Sequence, residues 1–168
     1  EQAYKWNGKF TNRSKTQYII LHHRAGNGDV QSVHQLHLDL DYTGIGYQFY
    51  VRKDGSIYRG RPIDAVGAHC IGKNSVSVGV CFEGNFETDK MPSAQIKAGQ
   101  ELVSYLKRLY PKAEVKGHRD VYATACPGKN FPLAEIKKGT TTETKLTTAK
   151  DIIAKLSKEV LEYNFPGV

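Results

Sequence analysis

The chain has 168 residues, 39% of them hydrophobic, and a formal net charge of +7, which suits one compact domain with a short appendage. No stretch approaches the run of about 18 apolar residues that a membrane-spanning helix needs. The basic residues are scattered and accompany no nucleic-acid motif, which argues against a nucleic-acid partner and leaves another polyanion open. Residues 1–6 contain neither a methionine nor an apolar signal core, so this end reads as processed or trimmed.

Tyr18-Ile19-Ile20-Leu21 is apolar, β-branched and too short for a helix, predicting a strand that runs into the His22-His23 pair. Asp29 can cap a helix in which Val33, Leu36, His37 and Leu40 follow i, i+3, i+4, i+7 spacing. That stripe turns His37 inward and leaves His34 at the edge, on the surface. Residues 47–53 and 56–59 flank Asp54-Gly55, a pair suited to a type I′ hairpin turn. Val76, Val78, Val80 and Phe82 alternate with Ser75, Ser77, Gly79 and Cys81, predicting a strand whose valines and Cys81 face opposite ways. Ser93 is the expected cap of a long helix ending at Leu109, with Ile96, Gly99, Leu102, Val103 and Leu106 as its core stripe and Pro111 as its stop. Residues 114–118 read as a short strand leading to His118. From Gly139 a threonine-rich stretch without apolar residues reads as a linker, followed by a final amphipathic helix carrying Ile152, Ile153, Leu156 and Val160. The expected division is therefore a domain over 1–138 and a linker with a terminal helix over 139–168.

His22, His118 and Cys126 together can hold a zinc ion. Two neutral imidazoles and one thiolate match its preference for borderline-soft ligands, and three protein ligands leave the fourth tetrahedral position open for catalysis. With Cys126 so used, Cys70 and Cys81 remain and are read as free thiols.

Seven pieces in order, Leu21-His22-His23, Gly46-Tyr47-Gln48-Phe49, Lys53-Asp54-Gly55, Gly67-Ala68-His69, Asn74-Ser75-Val76-Ser77-Val78-Gly79-Val80, Glu83-Gly84-Asn85-Phe86 and Gly117-His118-Arg119-Asp120, carry a family resemblance. The run from Tyr18 to Pro132 resembles the type 2 N-acetylmuramoyl-L-alanine amidases, the zinc-dependent group that includes phage enzymes and the animal peptidoglycan recognition proteins. The resemblance implies an α/β fold, a mixed central sheet flanked by helices, with a groove for the glycan and its stem peptide. It also implies a zinc enzyme that cuts the amide between N-acetylmuramic acid and L-alanine in bacterial peptidoglycan, or, as the alternative, a recognition module that binds the wall without hydrolysis. Some recognition proteins of that kind carry serine where this chain has Cys126, so the cysteine favours the enzyme.

Within that resemblance His22 is the ligand and His23 its neighbour, because adjacent strand residues point to opposite faces. Tyr47 and Thr124 take the catalytic positions, and His37, His69 and His23 are expected at the substrate. Thr124 stands where a phage member has lysine, and Cys81 stands where the wall-recycling branch has a glutamate base. Neither the lysine's charge nor that carboxylate is available here, and Glu83 is expected to be structural. The linker and terminal helix resemble the junction to a wall-targeting module in phage endolysins and bacterial autolysins. The resemblance thus implies a monomer acting at the bacterial wall, secreted or released during phage lysis, with anionic wall polymers as further partners for its positive charge.

Overall fold

A computed structural model describes residues 4–140. In chain order these form β1 (Tyr18–His23), α1 (Val30–Asp39), β2 (Phe49–Val51), β3 (Ile57–Arg59), β4 (Ser77–Phe82), α2 (Ser93–Leu109), β5 (Glu114–Gly117) and α3 (Leu133–Lys137). The five strands make one mixed sheet in the order β3-β2-β4-β1-β5. β1 is parallel to both β4 and β5, β2 is parallel to β4, and only the β2–β3 hairpin is antiparallel. The expected mixed sheet with flanking helices is the observed one. The terminal helix expected around Ile152–Val160 lies outside the described residues. Thr140 N still donates to Ser104 Oγ of α2 at 2.8 Å.

Strand alternation divides the interior. Ile19 and Leu21 of β1 join Val78, Val80 and Phe82 of β4 in an apolar layer with Ala98, Leu102, Val103 and Leu106 of α2 and Ile136 of α3. Each fully buried aliphatic side chain in such a layer contributes about 1.5–3 kcal/mol by leaving water. On the other side, Tyr50 and Cys81 pack with Ile45 and with Val30 and Val33 of α1. The valines of β4 and Cys81 therefore do face opposite ways, as alternation predicts. Cys70, Cys81 and Cys126 are all free thiols.

Four local expectations are corrected. The buried stripe of α1 is Val30, Val33, His34 and His37, whereas Leu36 and Leu40 are 48% and 56% exposed. The helix is rotated because the N-terminal segment covers His34, whose ring lies 4.8 Å from that of Tyr4 and 5.0 Å from that of Trp6. His34 Nδ1 accepts from Ile45 N and its Nε2 donates to Lys5 O, so it is a satisfied buried group and not a surface one.

The hairpin turn is not type I′. Gly55 alone has positive φ, at 88°, while Asp54 does not. Gly55 N donates to Arg52 O and Arg52 N to Ser56 O, the pattern of a three-residue loop closed by a glycine bulge. Val76 belongs to a short 3₁₀ turn, Asn74–Val76, and β4 starts one residue later. Ser93 opens α2 from inside, with Pro92 at the cap position and no side-chain cap bond. Gln95 anchors that end instead: its Nε2 donates to Val51 O and Glu83 O.

Candidate active site

The carboxyl ends of parallel strands are where an open α/β sheet leaves room for a ligand. β1 and β5 are in parallel register with Leu21 opposite Gly117. The next residue of each is a histidine, so His22 and His118 emerge side by side, with ring centroids 4.4 Å apart. His118 opens a 3₁₀ turn, His118–Asp120, and the loop beyond it returns Cys126. Arg119 N donates to Cys126 O, Arg119 Nη1 to Gly128 O, and Cys126 N to Thr124 Oγ1. Backbone and side-chain bonds thus hold that loop against the turn.

The ligand atoms of His22, His118 and Cys126 all lie within 4.8 Å of one another. Cys126 Sγ is 3.8 Å from His22 Nδ1, and His118 Nε2 is buried without a hydrogen-bond partner among the described residues. A buried ring nitrogen without a partner is costly unless something outside the chain satisfies it. Two imidazoles and a thiol converging on one point fit zinc, and among the described residues this is the group able to hold a metal. Burial, followed by the neighbouring imidazoles, keeps His22 well below the usual histidine range, and burial also lowers His118. Both rings are therefore neutral, as ligands must be. Burial pushes the Cys126 thiol of the metal-free chain up to about 11.

His23 takes the other face. Its Nδ1 accepts from Phe86 N at 3.2 Å, and it does not line the cleft beside the three ligands. Strand alternation sends the His23 ring toward Phe86, away from the face that carries His22.

That cleft has a volume of about 460 Å³, and His37, Tyr47, His69 and His118 all line it. Tyr47 sits 5.1 Å, ring to ring, from His22. Two helix histidines and an arginine position the turn that carries it. Ile45 N and Gly46 N donate to Nδ1 of His34 and His37, while the buried Arg61 donates to Gly44 O, Ile45 O and Val66 O. Burial, then the thiols of Cys81 and Cys126, hold the Tyr47 phenol well above its ordinary range. It stays protonated at neutral pH and is a hydrogen-bond donor. Thr124 does not line the cleft; its oxygen accepts from the Cys126 amide.

Glu83 is only 5% exposed and is fully engaged. It accepts from Gly28 N, Lys53 N and Arg52 Nε, clamping the loop before α1 to the hairpin. Residues not singled out from sequence also reach the cleft: Tyr42, Ile71 and Tyr122, together with Leu40. Tyr122 stacks on His118, with centroids 5.4 Å apart and planes at 20°. Its place between the second histidine and the cysteine was the only sequence signal for it. Arg61 had none, because a buried arginine reads like any other basic residue.

Residues 12–129 match the family described as N-acetylmuramoyl-L-alanine amidase. The chain is 36% identical over 128 residues to the endolysin of Enterobacteria phage K11, covering 71% of this chain and 85% of that one. It is 35% identical over 146 residues to peptidoglycan-recognition protein SC2 of Drosophila melanogaster, covering 76% and 79%. Among solved structures it is similar to the N-acetylmuramoyl-L-alanine amidase LysC from Clostridium intestinale URNW, with a TM-score of 0.76, 39% identity, and coverage of 82% of this chain and 93% of that one. With a family match over residues 12–129 and relatives at 35–36% identity among both endolysins and recognition proteins, the chain belongs to the type 2 N-acetylmuramoyl-L-alanine amidase family.

Proposed function

We propose that this chain degrades the bacterial cell wall by hydrolysing the amide between N-acetylmuramic acid and L-alanine, with zinc held by His22, His118 and Cys126. The observation that carries the reading is the convergence of those three ligand atoms within 4.8 Å, next to a cleft that His118 lines, in a member of an amidase family. When bound, zinc supplies a Lewis acid for the scissile carbonyl and lowers the pKa of water from near 16 to about 7.

The chain's own side chains do the rest. Tyr47, a protonated phenol on the cleft wall, donates a hydrogen bond to the oxyanion that forms on attack. His37 accepts from Gly46 N through Nδ1, so the neutral ring carries its proton on Nε2 and offers a donor to a substrate carbonyl. Thr124 accepts from the Cys126 amide and keeps its hydroxyl hydrogen for a secondary donor role. Among the described residues no aspartate or glutamate lines the cleft, and Glu83 is occupied by its clamp, so the reading assigns no carboxylate base. The apolar and aromatic rim of Leu40, Tyr42, Ile71 and Tyr122 suits the faces of a sugar ring and the lactyl methyl. The net charge of +7 favours approach to anionic wall polymers, reached by secretion or by release during phage lysis.

The test is a turbidity assay on purified walls with zinc, with chelator, and with Cys126→Ser, followed by product analysis. Expected is clearing that needs zinc and Cys126 and releases L-alanine amino termini without new reducing ends. New reducing ends would make the chain a glycosidase, and wall binding with neither product would make it a recognition module.

A further inference from the structure

His69 was expected at the substrate, yet both of its ring nitrogens meet protein. Nδ1 lies 3.0 Å from His22 Nε2, and Nε2 lies 3.4 Å from Ser77 Oγ. The Ser77 hydroxyl is buried and lies 2.8 Å from Lys73 O. These three contacts form a chain whose far end is a carbonyl, and a carbonyl can only accept. The single Ser77 hydroxyl hydrogen is therefore donated to Lys73 O, and the Ser77 oxygen accepts from His69 Nε2–H. A neutral imidazole carries one N–H, so His69 Nδ1 is bare and accepts from His22 Nε2–H. By the same rule His22 Nδ1 is bare, and it is this nitrogen that faces Cys126 Sγ at 3.8 Å.

The surroundings of His69 are shaped for its ring. A Cβ on Gly67 or on Gly79 would collide with the His69 imidazole, so two chain segments leave out side chains to admit it. The backbone is held as well: His69 N and Cys70 N both donate to Asn74 Oδ1, at 2.8 and 2.9 Å. A ring used only to touch substrate would not need both nitrogens satisfied from behind.

We infer that His69, backed by Ser77 and Lys73 O, is a positioning residue that fixes His22 in the Nε2–H tautomer, so that Nδ1 is the atom presented to the metal. The inference rests on the zinc reading for its purpose, although the hydrogen-bond direction stands without a metal. Partners of this kind orient metal-bound histidines, and their loss typically weakens metal affinity 10–100-fold.

Two measurements test it separately. Long-range ¹H–¹⁵N NMR of the native, metal-free protein should show His22 protonated on Nε2 and bare on Nδ1, with His69 also protonated on Nε2. His22 protonated on Nδ1 would overturn the inference without any variant being made. Zinc affinity, measured by competition with a chromophoric chelator on chains that keep a cooperative thermal transition, should fall about 10–100-fold in His69→Leu. His69→Asn, which keeps an acceptor near the Nδ1 position, should stay within about threefold of native, and Ser77→Ala should fall between the two. A folded His69→Leu chain that binds zinc as tightly as native would overturn the positioning role. Should His22→Ala bind zinc as well as native, the metal reading fails, whereas the NMR result judges the tautomer relay by itself.

Discussion

The two faces of the sheet come from the same strands and have opposite chemistry. Toward α2, alternate residues of β1 and β4 make a sealed aliphatic and aromatic layer. Toward α1, the intervening residues include His22 and Cys81, and the helix opposite contributes His34 and His37 beside its valines. The first face buys stability, while the second holds polar rings in fixed hydrogen bonds and opens at the strand ends into a cleft. A one-residue step along β1, from His22 to His23, crosses from one regime to the other.

Substitutions can break this contrast. The largest effect on function is expected for His118→Ala, which should lower amidase activity by at least about 100-fold, beyond what loss of an outer-shell partner costs. Its urea midpoint, measured with the metal removed, should barely move. The reverse is expected of Leu106→Ala on the α2 face. Leu106 is fully buried, so unfolding in denaturant should show a loss of about 2–5 kcal/mol, while zinc affinity in the folded protein stays native.

His37 sharpens the contrast through pH. Burial, then the Arg61 charge, lowers its pKa to about 4, against about 6.5 in the unfolded chain. The unfolded state therefore takes up the proton first as pH falls. Stability from this group is complete above about 6.5 and is lost progressively until about 4. Urea midpoints measured across that window should fall less steeply in His37→Asn, which keeps an acceptor for Gly46 N.

Glu83 adds a smaller term in more acidic solution. Burial opposes its ionisation, but the Arg52 guanidinium and the amides of Gly28 and Lys53 outweigh that and hold it below the ordinary carboxylate range. Its contribution is present above about 4.3 and disappears as pH drops through the lower folded value. Glu83→Gln should cost about 1–3 kcal/mol near neutrality, and the gap from native should close in acid. The smallest effect belongs to Leu36→Gln, which should change stability by no more than about 0.5 kcal/mol, because that side chain is already 48% exposed.

Much of the site was legible because it is written in local order. A β-branched run ending in His22-His23 gives a strand end with one histidine on each face, and alternation alone separates a ring that faces His118 and Cys126 from one that faces the core. Gly117-His118 and Cys126 lie close enough in sequence for one turn and loop to join them. The apolar stripe of α2 was equally plain, since Leu102, Val103 and Leu106 have no other way to be buried. The stripe of α1 misled because leucine is more apolar than histidine, yet Tyr4 and Trp6 cover His34, while nothing among the described residues seals Leu36 or Leu40 from solvent.

By itself the sequence determined the order of β1 to β5 with α1 and α2, though not α3, together with the family and the donor types: two imidazoles and a thiol, with a tyrosine nearby. Tertiary structure alone decided which atoms meet. The Leu21–Gly117 register sets His22 beside His118, the contacts with Gly28 and Arg52 engage Glu83, and the packing brings the two ring nitrogens of His69, on the cleft wall, against His22 and Ser77. The physical reason is range. Periodicity and turn chemistry act over a few neighbouring residues, whereas a hydrogen-bond partner far along the chain is chosen by how strands and helices pack.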